Sequence, residues 1–203
     1  MILSRRALLA VPALALATPA FAATSLTPRF IGSETAPVTV IEFFSLTCPH
    51  CAAFSRDTLP QVRDQLVATG KLRYGFRDFP LDQVALTAAM VARSLPPERY
   101  EPFVSALLAS QARWAFARGV NTTEDLAKMS GLAGLSRQKF DATIADTDLK
   151  NAILADQEDA EKTLQVDSTP TFIFNGPNAK DKRAPGELSF AEFAKLVSEA
   201  AGT

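Results

Sequence analysis

Seven residues, Val38 to Phe44 (VTVIEFF), constrain the fold more than any others in this chain. They are β-branched or aromatic, and both alternating faces are mostly apolar. Such a run is satisfied only as an interior strand covered on both sides. Beyond Cys48 the pattern turns helical, with Leu59, Val62 and Leu66 at 3,4 spacing. Pro60 is expected to kink or divide that helix, and Gly70 to stop it. Leu72 to Phe79 then reads as a second core strand. The order β-α-β implies parallel pairing through a crossover helix.

From Asp82 to about Leu164 the sequence carries helical signals and no convincing strand. Val84–Leu95 ends at Pro96-Pro97, and Pro102–Gln111 is a further stretch. Thr122-Thr123-Glu124-Asp125 opens a helix that Gly131 is expected to stop. Ser136 opens one running through Ile144, and Asp148–Leu164 is long, charged and amphipathic. The strand signal returns at Thr171–Phe174, followed by Asn175-Gly176 as a turn. Pro177 to Pro185 reads as a polar loop with a weakly marked strand near Arg183. Ser189-Phe190-Ala191-Glu192 matches a capping box, opening a helix with Phe193, Leu196, Val197 and Ala200 on one face. The expected architecture is α/β, interrupted by a helical insertion at about 82–160. Trp114 and Phe116 read as core within the insertion, and Gln157 to Lys162 as a solvated face.

Composition narrows the class. With 203 residues and 47% hydrophobic content, the chain can bury a domain core, which a disordered chain cannot. A net charge of −1 argues against nucleic acid as a partner. Residues 1–22 resemble an export signal: Arg5 and Arg6 precede the apolar run Leu8 to Ala17, and Ala20-Phe21-Ala22 suits a signal peptidase. The run is shorter than the ~20 residues needed to span a bilayer. Ser4-Arg5-Arg6-Ala7-Leu8-Leu9 also looks like a twin-arginine signal. Cleavage after Ala22 takes the charge from −1 to −3. The expected product, residues 23–203, is soluble and exported to a compartment that permits disulfides.

The chemistry is concentrated in four residues. The chain has two cysteines and one histidine, and all three lie in Cys48-Pro49-His50-Cys51. A zinc site has no further Cys or His to draw on. A c-type haem needs His directly after the second Cys, where Ala52 stands. A structural disulfide closing so short a loop would remove little unfolded-state entropy. Cys48 falls where a strand ends and a helix begins, so free N–H groups and the helix dipole favour its thiolate. Pro49 suits the first helical position, where its missing N–H costs nothing. His50, when protonated, adds positive charge. Each effect stabilises the dithiol and makes the disulfide a stronger oxidant. An alternative is Cu(I) held by Cys48, Cys51 and His50.

With E-F-F-S ahead of it, this segment resembles the active site of the DsbA family of bacterial thiol:disulfide oxidoreductases. The resemblance implies a thioredoxin fold with an inserted helical domain. It makes Cys48 the exposed attacking sulfur and Cys51 the buried resolving one. It makes Thr169-Pro170 the family's cis-proline element, with Thr169, Pro170 and Pro49 lining the substrate groove. Threonine replaces the valine of the best-known oxidase and also occurs in isomerase-type relatives. The implied partners are reduced exported proteins and a DsbB-like membrane quinone reductase. The implied product is a periplasmic monomer without a cofactor. A disulfide isomerase or reductase of the same fold is the second enzymatic reading.

Glu42 interrupts the core strand on the side of Val38, Val40 and Phe44, where burial should raise its pKa. The resemblance places this acid beneath the second cysteine, where it helps move a proton. The alternative is a Glu tied up by Arg73 or Arg77. The lysine that accompanies the acid in close relatives has no counterpart in Leu72–Phe79.

Overall fold

A computed structural model describes residues 26–119 and 121–203; the segment 1–22, read as an export signal, lies outside them. A short strand β1 (Arg29–Ile31) precedes β2 (Val38–Phe44), α1 (Pro49–Asp57) and α2 (Leu59–Val62). A π-helical turn (Arg63–Val67) leads to β3 (Leu72–Asp78). Then come α3 (Gln83–Arg93), α4 (Pro97–Ala109), α5 (Gln111–Trp114), α6 (Thr122–Leu132), α7 (Arg137–Ile144) and α8 (Thr147–Leu164). The chain ends with β4 (Thr171–Gly176), β5 (Ala179–Pro185) and α9 (Phe190–Ala201). The five strands form one sheet in the order β1-β3-β2-β4-β5. β2 runs parallel to β3 and antiparallel to β4, so it is the central strand that its two apolar faces require.

The two faces of β2 meet different layers. Val38, Val40 and Phe44 join the larger core with Phe54 of α1, Leu59 and Val62 of α2, and Phe193 and Val197 of α9. Phe54, Phe172 and Phe193 stack edge and tilt at centroid distances of 4.6 to 5.9 Å. On the opposite face, Phe43 and Ile173 pack with Phe79, Ala160 and Val166, so α8 closes the sheet from behind. α8 is also pinned by charge. Buried Arg77 on β3 donates from Nε to Asp156 at 2.9 Å and from Nη2 to the other carboxylate oxygen at 2.8 Å. A second buried pair joins Arg93 on α3 to Asp78 at the end of β3, with Arg93 Nη1 also reaching Thr27 O at 2.7 Å.

Several local expectations need correction. Pro60 does divide the first helix, at Thr58. Pro102 lies inside α4, which begins at Pro97; the break comes instead at Ser110, before Gln111. α6 passes Gly131 and ends at Leu132, because the left-handed residue is Gly134, at φ +88°. Asn175 and Gly176 belong to β4, and the turn falls at Pro177-Asn178. The weakly marked strand near Arg183 is β5, which takes up most of the stretch read as a loop; it is an edge strand whose exposed side chains (AKDKRAP) give no apolar alternation. β1 gave too short a signal to notice. Its Phe30 ring lies over Gly75, where an added Cβ would come within 2.6 Å of it. Trp114 is core as expected, but Phe116 is 56% exposed. Among the described residues no helix is long and apolar enough to cross a membrane.

Removing Asp156 leaves Arg77 largely buried against a single exposed carboxylate, Asp159. Asp156→Ala is expected to cost about 3 kcal/mol in urea unfolding. Replacing the pair together, Arg77→Met with Asp156→Leu, should bring stability back to within about 1 kcal/mol of the parent.

Candidate active site

The site forms where β2 gives way to α1. Cys48 is the N-cap residue of α1, in extended conformation at φ −81° and ψ 120°, and Pro49 follows at the first turn. A turn from Cys48 N to Ser45 O at 3.1 Å brings the chain round. Ser45 Oγ accepts from Thr47 N at 3.3 Å, and Thr47 Oγ1 donates to Asp82 Oδ2 at 2.7 Å. Asp82 also caps α3, accepting from Ala85 N at 2.8 Å. The loop carrying Cys48 is therefore tied to the start of the helical insertion.

Both cysteines are free thiols, and Cys48 is more enclosed than expected. Cys51 is 0% exposed and Cys48 only 4%, so the Cys48 sulfur, expected to be exposed, is buried as well. Their acidities diverge. Cys48 falls from the ordinary 9.0 to about 5, chiefly because the Cys51 thiol donates to it, against the opposing effect of burial. The backbone N–H groups of Cys51 and His50 add to the lowering, as a helix start should. The Thr169 side chain contributes as well; its buried hydroxyl has no other partner among the described residues. Burial pushes the Cys51 thiol well above its ordinary value, and supplying a hydrogen bond to Cys48 pushes it further.

The peptide bond between Thr169 and Pro170 is cis. Cys48 Sγ lies 3.2 Å from Thr169 O, which brings together residues 121 positions apart. Gly186, at φ +90°, donates from its N–H to Pro170 O at 2.7 Å. Thr58 Oγ1 donates to Leu188 O at 3.0 Å. Between these ties lies a groove of about 590 Å³ lined by His50, Thr58, Thr169, Glu187 and Ser189 among others.

His50 lines the groove. Its imidazole is 71% exposed and turned to Glu187, with Nδ1 at 3.2 Å from Oε2. Its backbone N–H adds to the lowering at the Cys48 sulfur. Glu187 was missed because its only signal is a lone acid in a polar loop.

Glu42 is 2% exposed and lies on the Cys51 side of the sheet, near enough that its charge raises the Cys51 pKa. Neither candidate arginine binds it: Arg73 pairs with Glu34 and Arg77 with Asp156. Its partner is Tyr74, whose hydroxyl donates to Oε2 at 2.6 Å, while Oε1 is buried without a partner among the described residues. Desolvation lifts Glu42 from 4.5 to about 7, against the lowering effect of the Tyr74 bond. Tyr74 looked like one more aromatic in a core strand. Its role shows only through register, with Val40 opposite Tyr74 and Glu42 two residues on along the same face. Among the described residues no group of three or more His, Cys, Asp or Glu side chains is arranged to hold a metal ion.

Ultraviolet thiolate absorbance of the reduced protein should show one transition near pH 5; a single transition at 9 would contradict the geometry. Because the folded Cys48 value lies below the unfolded one, the reduced form has its full extra stability above pH 9. That stability declines as pH falls and is gone below about 5. Glu42 behaves oppositely in the reduced form: its pKa is raised, so stability is lost as pH rises through about 7. Tyr74→Phe removes a donor to the Glu42 carboxylate and should make Glu42 a roughly tenfold weaker acid. Infrared titration of the oxidised protein reads this directly.

The comparisons with known proteins agree with this geometry. A family model described as thioredoxin, Thioredoxin_4, matches residues 24–194. A Rickettsia conorii protein named as a protein-disulfide oxidoreductase is 27% identical over 147 residues, covering 72% of this chain and 52% of its own length. The chain thus spans about half the length of that relative. Disulfide bond formation protein D of Bacillus cereus is 24% identical, over 74% of this chain and 71% of its own. The crystal structure of alpha-DsbA1 from Wolbachia pipientis superposes with a TM-score of 0.78 at 28% identity, covering 86% of this chain and 91% of that one. With a family model spanning most of its length and a DsbA structure matched almost end to end, the chain belongs to the thioredoxin family, as a DsbA-like member with an inserted helical domain.

Proposed function

We propose that this protein is an exported thiol:disulfide oxidoreductase that donates its Cys48–Cys51 disulfide to reduced proteins. The observation that carries the proposal is the divergence of the two thiols, one held near 5 and its neighbour pushed far up. A substrate thiolate attacks Cys48 Sγ, the Cys48–Cys51 bond breaks, and Cys51 leaves with the electron pair. Cys51, the weaker acid, takes up a proton, for which the buried Glu42 carboxyl is the adjacent source. A second substrate thiolate then attacks the substrate sulfur of the mixed disulfide. Cys48 leaves as the stabilised thiolate, and the substrate has lost two electrons to the cysteine pair. The low pKa of Cys48 favours this last step, since a better-stabilised thiolate leaves faster.

The groove beside Thr169 and Pro170 supports a substrate-binding role for those residues and for Pro49. Reoxidation then falls to a DsbB-like membrane quinone reductase, with the protein acting as a periplasmic monomer after loss of residues 1–22. The test mixes oxidised protein with a reduced multi-cysteine substrate, and separately offers reduced protein a scrambled one. Fast oxidation with feeble unscrambling is expected. Efficient unscrambling by a dimer or trimer would replace this reading with an isomerase. Pro170→Ala should slow substrate release, so that mixed disulfides accumulate on non-reducing gels.

A further inference from the structure

Gln111 is the first residue of α5, a single turn in the helical insertion, and it is 6% exposed. Its Nε2 donates to two backbone carbonyls of the reactive loop: Leu46 O at 2.9 Å and Cys48 O at 3.1 Å. Both acceptors belong to buried residues. Leu46 O receives no backbone N–H among the described residues, so the Gln111 amide is what satisfies it. Cys48 O is also the acceptor of the first hydrogen bond of α1, from Ala52 N at 3.2 Å. One side-chain amide therefore uses both of its protons to hold the loop on either side of Thr47, at the point where the helix begins.

The amide is itself firmly held. Trp114, three residues on, is 1% exposed and donates from Nε1 to Leu107 O at 2.8 Å. Arg113 N and Trp114 N both bond Ser110 O, closing the turn that presents Gln111. The insertion thus brings a rigid corner against the reactive loop.

We infer that Gln111 is a positioning residue that sets the acidity of Cys48, which makes the inserted helices part of the redox centre rather than an appendage to it. The inference rests on Cys48 being the reactive thiol of the proposed function. The N–H groups of His50 and Cys51 stabilise the Cys48 sulfur only while the first turn of α1 keeps its orientation, and the grip on Cys48 O fixes that turn. The amide also directs the positive end of its dipole toward the residue that carries the thiolate. Both effects act in one direction, so losing Gln111 weakens the thiolate.

The experiment uses Gln111→Met, which keeps the length and packing but removes both donors, and Gln111→Asn, which keeps the amide but withdraws its reach. Cys48 acidity is read from thiolate absorbance, and the dithiol–disulfide equilibrium is read against glutathione. Neither measurement needs a protein substrate, so the inference can fail while the proposed oxidase activity stands, and the reverse. In both variants the Cys48 pKa should rise by about one unit. The equilibrium should move about tenfold toward the disulfide, equivalent to about 30 mV for two electrons. An unchanged pKa and equilibrium in a folded variant, whatever its melting temperature, would reduce Gln111 to a purely structural role. Should neither variant fold, the parent protein decides. Its Gln111 side-chain amide protons should shift in NMR spectra through the Cys48 titration, and amide protons indifferent to that titration would overturn the inference.

Discussion

The Cys51 thiol supporting the Cys48 sulfur, with the N–H groups of Cys51 and His50 at the start of α1 behind it, is the interaction around which this molecule is arranged. A helix start offers such donors anywhere; the difficulty is to keep one pointed at a reactive atom rather than at water. Phe54 anchors the helix from below, wedged against Phe172 and Phe193. Ser45, Thr47 and Asp82 stitch the entering loop from one side, and Gln111 grips it from another. Thr169 comes from the far end of the sequence to close the remaining side. Each tie is modest alone, at about 1 kcal/mol for a typical hydrogen bond, but they converge on four consecutive residues.

Beneath this surface lies a second arrangement with the opposite sign. Glu42 occupies a position in a central strand that its neighbours fill with Val and Phe, and burial makes its charge expensive. A cation beside it would have fixed the carboxylate in its ionised form. Tyr74 offers a neutral donor instead, which supports the ionised form without compelling it. The group is thereby held near neutrality, where gaining and losing a proton cost little at ordinary pH.

Much of this could be read in the sequence because it follows from local rules. The both-faced apolarity of Val38–Phe44 announced a central strand, and the Ser189–Glu192 capping box formed as written. The cysteine pair fell at a helix start, so its chemistry followed from position. What stayed hidden depended on distance in the chain. Gln111 reaches back 65 residues to Leu46 and Tyr74 reaches 32 to Glu42, and neither has a partner within its own element to betray it. The ring of His50 illustrates a different limit: the residue type suggests a charge near the sulfur, but the sequence does not show the acid that the ring pairs with, Glu187, 137 residues away. The edge strands were faint for another reason: β1, three residues long, went unread, and β5 showed only weakly near Arg183 because it presents charges where an interior strand would present valines.

The placement of the insertion has a consequence for how the molecule comes into being. β2 and β3 pair across a shorter connection, whereas β4 joins β2 only after six more helices have followed β3. Contacts that close such long loops form late, because the chain entropy must be surrendered before the pairing returns anything. Cys48 and Cys51 therefore emerge early, beside a strand whose other edge is still bare, while the Thr169 flank arrives near the end. A growing or partly folded chain carries two cysteines without the complete surroundings that set their reactivity. Maturation of the redox centre is thus tied to completion of the whole domain, and a molecule that has not finished folding is poorly equipped to act on others in the same condition.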